Sequence, residues 1–249
     1  MRIFGLIGYP LTHSFSKNYF ENKFRKESID NAVYENFPLE SIELLPGLLN
    51  HNPSLKGLNV TIPYKESVLG YLDHLDNTAS KIGAVNTIKV QRDNNNILLS
   101  GYNTDEYGFR KSLRPYLKTG HRKALILGTG GAAKAVKYVL EEMGIPYVSV
   151  SRKTGNSCYL HYSSLDREIV QAHQLIINTT PLGMYPDVEG CPDIPYKDLT
   201  PKHLLFDLVY NPETTQFMQK GQEAGAVTLN GKRMLEYQAE KAWEIWNPK

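Results

Sequence analysis

Short apolar segments alternate with amphipathic segments along the whole chain, a pattern typical of an α/β protein. Apolar runs of strand length lie at residues 3–7, 32–37, 58–62, 86–90, 97–100, 123–127, 147–151, 175–178 and 204–209. Helical spacing of apolar residues, or a helix start signal, marks segments near 16–24, 42–49, 63 onward, 104–117, 135–143, 216–224 and 234–246. Proline is favoured in the first turn of a helix, so Pro63 predicts a helix start that places Lys65 in its first turn.

The chain divides at a polar stretch, residues 118–122, which precedes a buried strand and a glycine-rich turn. A strand, a turn, a helix and a second strand of this length predict a parallel sheet with right-handed crossovers. We therefore predict two α/β lobes, one formed by residues 1–105 and one by residues 106–231. The pattern does not indicate which lobe the last helix, within residues 232–249, packs on.

Composition excludes several classes of protein. The 249 residues are 41% hydrophobic and 22% charged, which is enough apolar sequence for a sizeable core. A net charge of +2 gives no basic footprint for a nucleic acid. No apolar run approaches the ~20 residues of a membrane span, and the apolar start at residues 3–7 is too short for a signal peptide, so we expect a cytoplasmic protein. Cys158 and Cys191 form no disulfide framework, and no metal site is expected.

The first candidate site is a dinucleotide-binding turn. Gly128, Gly130 and Ala133 match G-x-G-x-x-G/A, directly after an apolar strand and before an alanine-rich helix. The first glycine permits a tight turn, the second lets the backbone approach a pyrophosphate, and the small third residue lets the helix pack closely on the strand. Free N–H groups at the helix start, from Gly131 and Ala132 onward, then face the phosphates.

The end of the next strand predicts which dinucleotide binds. Sites for NAD carry an acidic residue there, for the ribose 2′-hydroxyl. This chain has Ser151, Arg152 and Lys153 instead. A guanidinium offers a planar fork of donors to a 2′-phosphate, the lysine adds charge, and the serine can add a hydroxyl donor. The sequence therefore favours NADP over NAD, although a solvated basic loop would look the same.

Polar clusters in the first lobe suggest a second site. Ser14 and Ser16 at a helix start can both face one anion, or simply cap the helix. Strand alternation puts Asn59 and Thr61 on one face, and Lys65 follows as a candidate general acid or base.

Two further polar residues lie later in the same lobe. Asn86 lies at a strand start, and Asp105 either caps the next helix or meets the lysine. Sequence spacing alone does not decide between these roles for Asp105.

The order of these motifs resembles the shikimate dehydrogenase family. The matching stretches are H-S-F-S at 13–16, N-V-T-I-P-Y-K at 59–65, A-V-N-T at 84–87, N-T-D at 103–105, G-T-G-G-A-A at 128–133, S-R-K at 151–153, N-T-T-P-L-G-M at 178–184, D-L-V-Y-N-P at 207–212 and G-K-R-M-L-E-Y-Q at 231–238. They span nearly the whole chain. Lys17, Tyr102 and the residues flanking Arg152 depart from the usual family pattern.

The resemblance implies a role for each matched position. It implies a catalytic pair, Lys65 and Asp105, and a fold whose carboxy-terminal helix returns to the substrate-binding lobe. The implied substrate-binding residues are Ser14, Ser16, Thr61, Asn86, Tyr210 and Gln238. The implied NADP-binding residues are Gly128, Gly130, Gly131, Ala132, Ser151, Arg152, Lys153, Asn178, Thr179, Met184 and Gly231.

The implied activity is the reversible, NADPH-dependent reduction of 3-dehydroshikimate to shikimate in chorismate and aromatic amino-acid biosynthesis. The only implied partner is this small-molecule substrate, bound by a monomer or a homodimer. Three alternatives stay open: a quinate/shikimate dehydrogenase that uses NAD, a non-catalytic relative that senses quinate or shikimate, and a two-lobe dehydrogenase acting on a folate carrier. The Lys65 and Asp105 pair argues against the sensor, and the paired serines and Gln238 argue against the folate enzyme.

Overall fold

The computed structural model describes residues 1–11, 15–93, 96–152 and 159–248. Contacts between residues divide the chain into a first unit, Met1–Tyr107 with Glu236–Lys249, and a second unit, Gly108–Leu235. Each boundary falls inside a helix rather than in a loop. The chain therefore leaves the first unit once and returns to it at its carboxyl end.

The first unit is built on a mixed sheet. Its strand order is β2–β1–β3–β5–β6–β4, with β2, β1 and β3 parallel and β5 antiparallel to both of its neighbours. Strand β1 lies between β2 and β3, and its residues are buried along most of its length. The elements in chain order are β1 (Arg2–Gly8), α1 (Phe15–Lys26), β2 (Ala32–Pro38), α2 (Leu45–His51), β3 (Leu55–Val60), β4 (His74–Leu75), α3 (Asn77–Ile82), β5 (Thr87–Asp93), β6 (Asn96–Tyr102) and α4 (Asp105–Leu113).

The second unit is a doubly wound parallel sheet. Its strand order is β9–β8–β7–β10–β11–β12, so the direction of winding reverses between β7 and β10. In open α/β sheets, ligands bind at the carboxyl ends of the strands beside such a reversal. The elements are β7 (Ala124–Leu127), α5 (Gly131–Glu142), β8 (Tyr147–Ser151), β9 (Tyr159–His161), α6 (Arg167–Ala172), β10 (Leu175–Asn178), β11 (Leu204–Asp207), α7 (Gln216–Glu223), β12 (Val227–Leu229) and α8 (Lys232–Trp246).

The last helix, α8, packs against the sheet of the first unit. Trp246 is buried in a cluster with Phe4, Phe20 and Tyr34, and its ring stacks on that of Phe4 with centroids 5.0 Å apart. Its indole nitrogen donates to the carbonyl of Ile88 at 2.9 Å. The same ring lies directly over the backbone of Gly57, where any Cβ would collide with it. A glycine in the middle of β3 is therefore required for the helix to dock.

Most of the predicted elements are present, and one is wrong. Pro63 does not begin a helix: the Ile62–Pro63 peptide is cis, and a short 3₁₀ segment starts only at Ser67. Lys65 therefore lies in a turn, because the proline serves a tight reversal after β3 rather than a first helical turn. The pattern also missed β4, β9, β12, α3 and α6, which have two to six residues each and are too short to show a period.

Within the described ranges, no helix is long and apolar enough to cross a membrane. No group of three or more His, Cys, Asp or Glu side chains in those same ranges is placed to hold a metal ion. The longest helix, α8, is amphipathic instead, with its buried tryptophan face opposite charged residues such as Glu244.

We predict that Trp246→Ala destabilises the protein strongly, because it removes the ring that joins α8 to β1 and β3. The expected loss in the free energy of unfolding is about 3–5 kcal/mol, measured by urea denaturation with circular dichroism. Glu244→Ala, on the exposed face of the same helix, is the control and should change stability by less than about 0.5 kcal/mol. Equal effects of the two variants would show that the tryptophan does not hold the helix.

Candidate functional site

An ion pair in the first unit joins the two residues suspected of catalysis. Lys65 Nζ lies 2.5 Å from Asp105 Oδ2, and the two side chains are only 17% and 8% exposed. The ammonium has no other hydrogen-bond partner among the described residues, so it keeps donors for a ligand. Asp105 begins α4, yet its carboxylate faces the lysine and not the helix backbone. The sequence left two roles open for Asp105, helix cap or partner of Lys65, and the structure shows it paired with Lys65.

Asn86 connects this pair to the last helix. Its side-chain nitrogen lies 2.8 Å from Asp105 Oδ1 and 3.0 Å from Gln238 Oε1. Its side-chain oxygen accepts from the backbone N–H of Thr104 at 2.7 Å. One buried amide therefore fixes the carboxylate, the start of α4 and the side chain that α8 contributes.

A chain of hydrogen bonds extends from Asn86 to the start of α1. Asn59 donates to the carbonyl of Asn86 at 3.3 Å and accepts from the hydroxyl of Tyr34 at 2.7 Å. Ser16 in turn hydrogen-bonds the hydroxyl oxygen of Tyr34. Burial raises the pKa of Tyr34, so this hydroxyl keeps its proton and serves as a fixed link.

Two of these links were not predicted as site residues. Asn59 had a signal, since it alternates with Thr61, but the aromatic Tyr34 looked like ordinary strand core.

The turn after β3 holds Lys65 in place from both sides. Tyr64 is buried, and its hydroxyl donates to the carbonyl of Leu39 at 2.5 Å. The carbonyl of Lys65 accepts from the N–H of Val85 at 2.8 Å, and the N–H of Tyr64 donates to the carbonyl of Thr61 at 2.9 Å. The backbone around the lysine is therefore anchored, and the ion pair with Asp105 locates the end of its side chain.

Two predicted substrate-binding groups in the first unit keep free donors. Gln238 uses only its oxygen, which accepts from Asn86 and Thr104, so its NH₂ group donates to none of the described residues. The hydroxyl of Thr61 likewise has no partner in the described part of the chain, and its side chain is half-buried. Ser14 lies outside the described residues. Polar groups that are held in place yet unsatisfied are typical of a ligand site.

The glycine turn of the second unit has the geometry that the motif predicts. Gly128 follows β7 with φ +111°, and a Cβ there would lie 2.6 Å from Thr179 Oγ1. Gly130, at the start of α5, has no atom within 4 Å of its ideal Cβ position and is exposed. Ala133 is buried against the sheet. The turn therefore needs the first glycine for its own fold, whereas the second leaves open space above the backbone, next to Gly131 and Ala132.

The basic segment after β8 is only partly described. Ser151 is buried at the end of the strand, and Arg152 follows it with an exposed side chain. Lys153 lies outside the described residues. Arg152 is close enough to Tyr162 to oppose the effect of burial, which raises the pKa of that tyrosine to about 12.

Asn178, Thr179 and Met184 lie at the carboxyl end of β10 and in the loop after it, and Gly231 lies between β12 and α8. Thr179 is tied to the end of β7, since its hydroxyl donates to the carbonyl of Leu127 at 2.7 Å. Asn178 is 0% exposed, with both ends of its amide hydrogen-bonded inside the unit. Met184 is exposed. The N–H of Gly231 donates to the carbonyl of Val209 at 3.0 Å.

Tyr210, predicted to bind substrate, lies beside these loops and is half-buried. Its predicted role in substrate binding stays a prediction, as do the predicted roles of the other site residues.

Comparison with known proteins identifies the family. The profile of the shikimate dehydrogenase substrate binding domain matches residues 6–88. The shikimate dehydrogenase (NADP(+)) of Methanococcus aeolicus is 37% identical over 262 residues, which cover 98% of this chain and 91% of the relative. This chain belongs to the shikimate dehydrogenase family. The family predicted from the order of motifs is thereby confirmed.

Solved structures of relatives have the same fold. Shikimate 5-dehydrogenase from Thermus thermophilus, in complex with NADP(H) and shikimate, aligns with a TM-score of 0.86 at 29% identity, covering 100% of this chain and 94% of that one. Quinate dehydrogenase from Corynebacterium glutamicum, in complex with NAD, aligns with a TM-score of 0.85 at 27% identity over 100% and 94% of the two chains. The predicted fold class is confirmed. The two solved structures share this fold although their names give different substrates and cofactors.

We predict that alanine has different effects at the two glycines of the turn. Gly128→Ala should lower the free energy of unfolding by roughly 2–3 kcal/mol, because its φ is positive and its Cβ would collide with Thr179. Gly130→Ala is the control and should cost about 1 kcal/mol or less, since its backbone suits any residue and its Cβ meets nothing. Urea denaturation measures both. A larger loss at Gly130 would contradict the structure of the turn.

Proposed function

We propose that this protein is an NADP-dependent shikimate dehydrogenase that reduces the ring carbonyl of 3-dehydroshikimate and also runs in reverse. The observation that carries the proposal is the partly buried Lys65–Asp105 ion pair, whose ammonium keeps free donors. A sensor that only binds its ligand does not need a proton donor held against a carboxylate. Family membership supports the same reaction.

The polar groups around the ion pair suit a small polyhydroxylated acid. Thr61, Gln238 and Lys65 offer unsatisfied donors, and Asp105 can accept from a ring hydroxyl as well as from the lysine. Ser16, together with Ser14, is proposed to bind the substrate carboxylate. An aliphatic alcohol would need an apolar pocket in place of these groups. We therefore assign the substrate-binding roles to Ser14, Ser16, Thr61, Asn86, Tyr210 and Gln238, with Asn86 acting mainly by fixing Asp105.

The second unit suits NADP. The open space above Gly130 is the room that a pyrophosphate needs for contact with backbone N–H groups, and α5 adds the positive end of its dipole. The exposed guanidinium of Arg152 suits a 2′-phosphate, aided by Ser151 and by Lys153. When bound, the reduced nicotinamide supplies the hydride. Thr179, Met184 and Gly231 are proposed to contact it, and Asn178 is proposed to hold the loop that carries Thr179 and Met184.

Lys65 is proposed to act as the general acid during reduction. Negative charge builds on the carbonyl oxygen as the carbon is reduced, and a nearby ammonium stabilises that charge before it gives up a proton. Asp105 orients the ammonium, and Asn86 keeps Asp105 from turning away. In the reverse direction the neutral lysine accepts the hydroxyl proton. The backbone anchors of Tyr64 and Lys65 keep the amine close to one position throughout.

We predict that Lys65→Met lowers kcat for shikimate oxidation by about 10²–10⁴-fold, because it removes the proton donor and acceptor. The KM for shikimate should stay within several-fold, since the other polar groups remain. Absorbance of NADPH at steady state measures both. Lys81→Met, an exposed lysine of the same unit, is the control and should behave as the parent protein. If Lys65→Met folds and retains its turnover, the lysine has no part in the chemistry.

We predict that Arg152→Ala raises the KM for NADP far more than the KM for NAD, because only the former carries the 2′-phosphate. The assay compares shikimate and quinate with each cofactor in the parent protein and in the variant. Shikimate with NADP should be the fastest pair in the parent protein. Arg167→Ala, an exposed arginine of the same unit, is the control.

Two results would contradict these assignments. Equal effects of Arg152→Ala on both cofactors would remove the phosphate role. Faster turnover of quinate with NAD in the parent protein would favour the quinate/shikimate alternative.

A further inference from the structure

Asp207 is a buried carboxylate at the carboxyl end of β11, and it has no place among the predicted site residues. It is 0% exposed and forms no ion pair with any described residue. Three neutral donors surround it instead: Asn178 Nδ2 at 2.9 Å and the N–H of Val209 at 3.0 Å on Oδ1, and Thr215 Oγ1 at 2.5 Å on Oδ2. One side chain thus joins the ends of β10 and β11 to the first turn of α7, which Thr215 caps.

These hydrogen bonds continue into the loop after β10, which carries proposed cofactor contacts, and into the loop after β11, which holds the backbone of Gly231. Asn178, held by Asp207 through its nitrogen, accepts with its oxygen from the N–H of Thr180 at 3.0 Å and from the hydroxyl of Thr180 at 2.7 Å. That hydroxyl accepts in turn from the N–H of Leu182 at 3.3 Å. The loop that carries Thr179 and Met184 therefore folds around a side chain whose orientation Asp207 sets.

The second loop depends on the same carboxylate. Asp207 fixes the N–H of Val209, and the carbonyl of Val209 accepts from the N–H of Gly231 at 3.0 Å. Tyr210 is the next residue along the chain. A Cβ at Gly231 would collide with the carbonyl of Leu208, so this loop and the start of α8 are in direct contact.

The carboxylate is costly to bury, which points to a role other than stability. Burial raises the pKa of Asp207 to about 6, although its three hydrogen bonds act in the opposite direction. A pKa above the unfolded value means that the folded unit binds this proton more tightly than the unfolded chain does. Stability therefore falls as the pH rises from about 4 to about 6, and at neutral pH the ionised carboxylate lowers stability. Charged groups that are kept at such a cost are often functional.

We propose that Asp207 is a positioning residue that fixes two loops of the second unit through one shared carboxylate: the loop after β10, which carries Thr179 and Met184, and the loop after β11, whose Val209 holds Gly231. The inference rests on the proposed function, because it assigns those loops to NADP. Asp207 acts through Asn178 and Val209 and does not itself touch the cofactor.

The test is the effect of Asp207→Asn on NADPH affinity and on thermal stability at pH 7.5. The amide has the shape of the carboxylate, but it replaces one acceptor by a donor and weakens the charged hydrogen bonds. We expect the Kd for NADPH, measured by fluorescence titration, to rise about 10-fold while Tm stays equal or increases. A residue that merely supports the fold would lower Tm together with affinity. Asp166→Asn, an exposed helix-capping aspartate of the same unit, is the control and should leave Kd and Tm unchanged.

A second variant tests the connection from Asp207 to the loop and covers the case in which Asp207→Asn does not fold. Thr180→Val removes the hydroxyl that bonds Asn178 and should raise the Kd several-fold. If both act through Asn178, the double variant should bind NADPH little worse than Asp207→Asn alone.

The outcomes distinguish this inference from the proposed function. An unchanged Kd in Asp207→Asn, or additive losses in the double variant, would overturn the positioning role and leave the proposed function intact. If Asp207→Asn does not fold, an unchanged Kd in Thr180→Val would do the same. A parent protein that binds no NADPH would overturn the proposed function and, with it, this inference.

Discussion

The hydrogen-bonded ion pair between Lys65 and Asp105 is the constraint on which the rest of the first unit depends. Two charges with so little exposure are held only where other groups satisfy them, and removing one partner of a buried pair typically costs roughly 3–5 kcal/mol. Asn86 meets that need for the carboxylate, whereas Asp105 is the only hydrogen-bond partner of the ammonium among the described residues. The buried polar network that reaches Ser16 follows from this requirement, since each amide or hydroxyl recruited to hold a charge must itself be satisfied.

The two units bind their proposed ligands by different physical means. In the first, side chains from separate elements converge, so the chemistry depends on individual residues such as Gln238. In the second, most of the proposed contacts with the ligand come from the backbone of the turn at Gly128 and of the loops around Asn178, and side chains hold that backbone in shape. Apart from Arg152, whose guanidinium is proposed to bind a phosphate directly, substitutions in the second unit should therefore act through loop geometry.

Sequence patterns indicated long elements and local motifs, and they failed where distant segments decide. Helix α1, the parallel sheet of the second unit and the turn at Gly128 followed from periodicity and spacing. The environment of Lys65 did not, because a proline after a strand can begin a helix or make a reversal, and contacts from Leu39 and Val85 select the reversal here. The meeting of Lys65 with Asp105 depends on the pairing of β3 with β5, which no local pattern encodes. The environment of Asp207 was not predictable either, because Asn178 and Thr215, which donate to it, lie 29 and 8 residues away along the chain.

The return of the chain to the first unit through α8 has a consequence for synthesis on the ribosome. The second unit is one continuous stretch, Gly108–Leu235, so its core can close while the chain is still growing. The first unit is discontinuous, and its sheet lacks Trp246 and Gln238 until the whole second unit has been translated. A nascent chain therefore presents an open aromatic face on β1 while the second unit is being made, and that face is where a chaperone would be expected to bind.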